Sequence, residues 1–197
     1  MYRSTHPSRL RSGGFTLTEM LVVIAIVGIA SAFTLPNLRP ILVSNTVSGN
    51  VNGLMAVLGY ARSEAIARGV PVSVCRRAAN AQGAGCGAAG GDWSNGLLVF
   101  VDGGVTGTID GDDERLRLFH ASATGFELRA QAGSGGAGFA SMTWGATGEL
   151  VVGPAGGTPR FVVGSKASAE SDQSRLVCVT PAGRLRVTRL AEDCAGG

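Results

Sequence analysis

From Phe15 to Leu35 the chain runs 21 residues with one charge, Glu19. As a helix this run is about 31 Å long, the thickness of a bilayer hydrocarbon core. Before it stand Arg3, Arg9 and Arg11 and no acid. A positive flank is retained on the cytoplasmic side, so the run predicts an inner-membrane helix with the C-terminal bulk outside. Glu19 sits four residues into the run, where a carboxylate gains from the positive end of the helix dipole. An ionisable group at that depth also asks for a partner. A secretory signal peptide is the competing reading, with Ala30-Ser31-Ala32 as its cleavage site. Against it, the run is too long, and the small pair Gly13-Gly14 precedes the apolar stretch instead of following it.

The junction Gly13-Gly14-Phe15-Thr16-Leu17-Thr18-Glu19-Met20-Leu21 resembles the class III leader of type IV pilins and type II secretion pseudopilins. That resemblance implies cleavage by a prepilin peptidase between Gly14 and Phe15, then methylation of the new amine. It implies that Glu19 pairs with the terminal amine of a neighbouring subunit as a filament grows. An ion costly in lipid alone is tolerable when paired. Pro36 matches the family's proline near the end of the membrane segment, where a helix kinks or unwinds.

Beyond Pro40 a helical period appears. Val47, Val51, Leu54, Met55, Leu58, Ala61, Ala65 and Ile66 share one stripe at spacings of three and four, avoided by Asn45, Ser48, Asn52, Ser63 and Arg68. Gly69 and Pro71 stop it. From Val70 the period becomes two. Strands are expected at 70–75, 97–101, 115–119, 126–129, 141–144, 149–152, 160–163, 175–179 and 184–187. The 31 glycines mark the turns between them, with flexible loops expected at 78–91, 133–138 and 164–174. With 45% hydrophobic and 16% charged residues, a wholly disordered chain is excluded.

Tyr60-Ala-Arg-Ser-Glu-Ala-Ile-Ala-Arg-Gly-Val-Pro-Val72 resembles the helix-to-strand passage of the GspH/FimT family. Asp92-Trp93-Ser94-Asn95-Gly96 with Leu97–Asp102 resembles its Trp-x-x-Gly strand. The fold this implies is α+β and pilin-like: a long N-terminal helix whose outer half packs on an antiparallel β-sandwich. The expected organisation is a leader at 1–14, a transmembrane segment at 15–36, its amphipathic continuation at 37–69, and a periplasmic β-rich domain at 70–197.

Cys75, Cys86, Cys178 and Cys194 all follow the membrane run, in a compartment where disulfides persist. Of three possible pairings, Cys75–Cys86 and Cys178–Cys194 close short local loops and are favoured. A metal site at these cysteines has neither C-x2-C spacing nor a nearby histidine. No catalytic constellation stands out. His6 is in the leader, His120 is alone, and G-x-S-x-G, H-E-x-x-H and the phosphate-loop lysine are missing. The expectation is a non-enzyme without cofactor or metal. Asp110-Gly111-Asp112-Asp113-Glu114 is the best calcium candidate, but its order departs from an EF-hand and a solvated loop is preferred.

The charge pattern is most informative at the far end, where residues 173–191 contain no acid. In Gly183-Arg184-Leu185-Arg186-Val187, alternation puts Arg184 and Arg186 on one face, spaced to meet successive phosphates. A solvated edge strand guarded by charge is the plainer reading. Gly183-Arg184-Leu185-Arg186 resembles the Gly-Arg-x-Arg motif of FimT-type minor pilins, which implies non-specific DNA binding for uptake in transformation, with Arg175 and Arg189 as auxiliaries. The implied partners are other pilins, the peptidase, DNA and the inner membrane before assembly. A GspH-like pseudopilin of a type II secretion system is the alternative, and an anchored periplasmic enzyme is weaker. The formal charge of +3 comes from the leader arginines. The remainder is neutral but polarised, with acids gathered at 92–114 and arginines at 175–189.

Overall fold

A computed structural model describes residues 14–34, 38–78, 85–88, 90, 92–120, 126–155, 157–165, 173–192 and 194. Most of the leader, Pro36 with its expected kink, Lys166 and much of the expected loops at 78–91 and 164–174 lie outside the described residues. Described residues up to Ile41 form one compact unit and those from Leu42 a second.

The first unit is built on α1, Leu17–Thr34. Thr16 caps it, its Oγ1 accepting from the Glu19 N–H at 3.2 Å. The pair Thr16 and Glu19 thus has the spacing of a capping box, and the carboxylate lies in the first turn, where the helix dipole favours it. Phe15, Leu17, Ile24, Ile26 and Ile29 are each more than half exposed. An apolar helix that leaves such side chains uncovered needs lipid or other helices around it.

The second unit begins within α2, Leu38–Arg68. Although α2 is long and apolar enough to cross a bilayer by composition, one face is protein core. Val47, Val51, Leu54, Leu58, Ala61 and Ala65 are buried as the stripe predicts. Two positions differ. Val57, absent from the stripe, is 1% exposed, while Ile66 is 51% exposed. Ile66 stands about 100° around the helix from Ala65, against the turn at Gly148 and beyond the sheet's cover. Gly69 ends α2 with φ +68°, its N–H bonded to the Ala65 carbonyl at 2.9 Å.

Among the described residues nine strands follow: β1 Val72–Arg76, β2 Leu97–Val101, β3 Glu114–Phe119, β4 Phe126–Ala132, β5 Ser141–Trp144, β6 Leu150–Val152, β7 Pro159–Ser165, β8 Arg175–Val179 and β9 Leu185–Arg189. They form two antiparallel sheets, ordered β3-β2-β1-β5-β6 and β4-β7-β8-β9. The principal core gathers the α2 face, Val72, Val74, Leu97, Val99, Met142 and Trp144 of the first sheet, and Leu128, Phe161, Val163, Val177 and Val179 of the second. Trp93, Phe139 and Phe161 meet edge to face at its heart.

Residues 97–100 are buried on both sides, which explains their unbroken apolar run. Their outer face carries a second small core of Cys75, Leu98 and Phe100, packed by Cys86, Ile109 and Leu118. Both local disulfides are present, Cys75–Cys86 and Cys178–Cys194. The 133–138 stretch is a bonded turn, with the Ala132 N–H on the Ala137 carbonyl and the Gly133 N–H on Thr158.

Candidate nucleic-acid interface

The arginine motif sits where β8 turns into β9. Thr180-Pro181-Ala182-Gly183 is a tight turn closed by the Gly183 N–H on the Thr180 carbonyl at 2.8 Å. The ladder resumes at once, with the Thr180 N–H on the Arg184 carbonyl at 2.9 Å. The Arg184 N–H bonds Thr180 Oγ1 at 3.1 Å. Gly183 has φ +72°, and a Cβ there would lie 1.9 Å from the Gly148 carbonyl oxygen. Its place in the motif is therefore set by backbone geometry, since no side chain fits.

The turn is braced from outside the hairpin. The Leu150 N–H bonds the Pro181 carbonyl at 2.9 Å. Arg62 of α2 donates from Nε to the Gly148 carbonyl at 2.9 Å and from Nη2 to the Ala182 carbonyl at 3.0 Å. Each carbonyl from Thr180 to Ala182 thus has a named donor.

From this base Arg184 and Arg186 project into solvent, both exposed. They line an open groove of about 490 Å³ with Thr180, Pro181, Ala182 and Leu185. Cross-strand register puts Arg186 opposite Cys178, and Cys178 opposite Arg160. Arg184 and Arg186 therefore share the outer face of the second sheet with the Cys178–Cys194 bridge. Arg160, on that face, is 9% exposed and donates to Gln131 Oε1 at 3.1 Å.

The expected auxiliaries fall elsewhere. Arg175 and Arg189 are directly paired, an odd number of residues from the motif arginines, so they lie on the opposite face at the far end of the strand. Arg175 is half-buried and donates to the Ser174 carbonyl at 3.0 Å. The structure does not bring this pair together with Arg184 and Arg186.

At the other end of the chain, Gly14, Phe15 and Glu19 are exposed. Among the described residues no cluster of three or more His, Cys, Asp or Glu is placed to hold a metal ion. Of the carboxylates at 102–114, Asp110 and Asp113 face the loop's own backbone, and Glu114 pairs with Arg68 at 2.8 Å. Asp110 accepts from the N–H groups of Val105 and Asp112, and Asp113 from those of Gly103 and Asp110. The two backbone donors hold the Asp110 carboxyl below the usual carboxylate range. Asp102, 6% exposed, accepts from Ser73 Oγ and the Gly107 N–H, and Ser73 meets Thr143 Oγ1 at 2.6 Å.

Two residues of this neighbourhood escape a reading of the sequence for site chemistry. Arg160 appears there only as the start of a strand. Arg62 appears only inside the helix-to-strand signature, with nothing to reveal acceptors 86 and 120 residues away.

Comparison with known proteins agrees with this architecture. The family model for the type II transport protein GspH matches residues 50–183. The prokaryotic N-terminal methylation motif matches residues 9–35. No curated protein sequence matches significantly. The crystal structure of the type IV minor pilin FimU from Pseudomonas aeruginosa (strain PAO1) is similar at TM-score 0.52 and 21% identity, covering 77% of this chain and 94% of that one. A second crystal form of FimU gives TM-score 0.50 at 21% identity, covering 75% and 97%. The minor pseudopilin EpsH of the Vibrio cholerae type 2 secretion system gives 0.46 at 15% identity, covering 72% and 94%. Matched over most of its length by one family model and at its N-terminus by the methylation motif, the chain belongs to the GspH/FimT family of minor pilins and pseudopilins.

Proposed function

We propose that this chain is a minor pilin of a type IV pilus that binds DNA along its backbone for uptake, through Arg184 and Arg186. The observation that carries the reading is the placement of those two arginines. Both are exposed, Arg184 where the turn enters the edge strand β9 and Arg186 two residues on within it, beside a turn whose own carbonyls are already bonded. Guanidiniums roughly 7 Å apart match phosphates along a strand. Among the described residues no aromatic side chain lines the groove beside them for bases to stack on. Such binding reads the backbone, ignores sequence and weakens steeply with salt. Several subunits in one filament raise a modest affinity by avidity.

In this proposal the prepilin peptidase cleaves between Gly14 and Phe15. The segment 15–36 holds the subunit in the inner membrane with the remainder periplasmic, 37–69 continues the helix, and 70–197 is the globular domain. Glu19 pairs with a neighbour's terminal amine during assembly. Its cap by Thr16 supports this, because the helix start is fixed next to the carboxylate.

The test is binding of the processed full-length chain, in detergent micelles, to random-sequence duplex DNA. Arg184→Gln with Arg186→Gln is expected to weaken binding more than about tenfold and lower the salt slope by about 2, with the fold intact. An unchanged affinity in the folded double variant removes the assignment. The family match to a type II transport protein supports a second reading, a pseudopilin of a secretion system. A deletion strain that loses exoprotein secretion while keeping piliation and DNA uptake selects it.

A further inference from the structure

We propose that Arg62 is the positioning residue of the arginine turn, an inference that rests on the DNA-binding reading of Arg184 and Arg186. Its two acceptors belong to different sheets. Gly148 lies in the β5–β6 connection of the first sheet and Ala182 in the β8–β9 turn of the second. One guanidinium therefore fixes the distance between the two hairpin ends. The Ala182 carbonyl belongs to the peptide that joins Ala182 to Gly183. Holding that carbonyl sets the peptide plane from which Gly183, at φ +72°, sends the chain into Arg184.

The contact of Gly183 with the Gly148 oxygen and the bond from Leu150 to Pro181 close the same joint from the other side. Two sequence signatures far apart in the chain, the helix passage containing Arg62 and the motif at 183–186, thereby form one unit. The helix signature holds the base on which the motif stands.

An arginine is needed because two carbonyls must be met at once by a planar fork. A lysine ammonium carries the same charge without that geometry. This difference separates positioning from plain electrostatic attraction. It also separates positioning from general stability, because a purely structural role moves the melting temperature and not the affinity of the folded chain.

The experiment uses the processed full-length chain in micelles. Arg62→Lys, Arg62→Gln and the Arg184→Gln/Arg186→Gln pair are compared by duplex-DNA binding at fixed ionic strength and by amide hydrogen exchange. Both Arg62 variants are expected to weaken binding roughly tenfold at a temperature where they stay folded. Both are expected to speed exchange at Leu150 and Gly183 while leaving Val177 and Val179 unchanged. Wild-type affinity in Arg62→Lys overturns the proposal, because charge then suffices. Unchanged exchange at the turn in both variants overturns it as well. If the wild-type chain binds no DNA, the DNA reading fails. Faster exchange in Arg62→Lys then still establishes the clamp, so the two failures are distinct.

Discussion

The acidic loop at 102–114 and the arginine turn at 180–186 are both short, charged connections between strands, and they use charge in opposite ways. In the acidic loop, carboxylates do the work of the fold. Asp110 and Asp113 each accept from two backbone N–H groups, and Asp102 is buried against Ser73 and Gly107. In the arginine turn the backbone is held by Thr180, Leu150, Arg62 and the close approach of Gly148. Arg184 and Arg186 are left at the surface. A charge already committed to its own loop is a poor candidate for a ligand. An exposed charge beside a turn whose carbonyls other residues bond is a better one.

The difference is broken most directly at a glycine in each loop. Gly183 combines φ +72° with a backbone oxygen 1.9 Å from any Cβ, whereas Gly111 has nothing within 4 Å and no positive φ. Gly183→Val is expected to cost about 3 kcal/mol or more in denaturant unfolding and to abolish DNA binding with it. Gly111→Ala is expected to stay within about 0.5 kcal/mol. Equal losses mean that the two turns are not differently constrained.

The next test exchanges the charges. Asp113→Ala removes the acceptor of two backbone N–H groups and is expected to cost about 1–2 kcal/mol, measured by thermal unfolding, with DNA affinity unchanged. The arginine double variant is expected to do the reverse, with stability within about 0.5 kcal/mol. Millimolar calcium is expected to leave the wild-type melting temperature unmoved, because Asp110 and Asp113 already accept from the loop backbone. A calcium-dependent rise marks the loop as a cation site and ends the contrast.

Much of this was legible in the sequence, for identifiable reasons. Strands such as Leu97–Val101, Ser141–Trp144 and Arg175–Val179 have the bounds their patterns imply, since period two and glycine turns are local signals. The α2 stripe was legible for the same reason. It failed at Ile66 and Val57, where a helix's cover depends on how far the facing sheet extends. The short-loop cysteines could be read directly. What stayed hidden was long-range: the acceptors of Arg62, the burial of Arg160, and the register that puts Arg175 and Arg189 on the face opposite Arg184 and Arg186. A list of arginines at 175–189 looks like one patch. Strand parity divides it into two.

The smallest effect is expected in acid. Asp110 is held below the ordinary carboxylate value by hydrogen bonds from Val105 and Asp112. A carboxylate whose folded value is depressed contributes stability that is complete above its unfolded value, about 4. That contribution is lost as pH falls through the folded value. Between neutral pH and about 5 the contribution of Asp110 is therefore expected to stay constant. Below that, the Val105 and Asp112 amides are expected to exchange progressively faster than the rest of the loop. Asp110→Asn keeps one side-chain oxygen as an acceptor, so one of those two amides should be open already at neutral pH, with no further acid step. The arginine turn has no counterpart, because residues 180–186 contain no carboxylate. Amide exchange followed by NMR from pH 6 to pH 3 measures both loops in one sample. If the Gly183 and Arg184 amides open with the same midpoint as Val105, the two loops share one opening and their contrast in the use of charge does not extend to their dynamics.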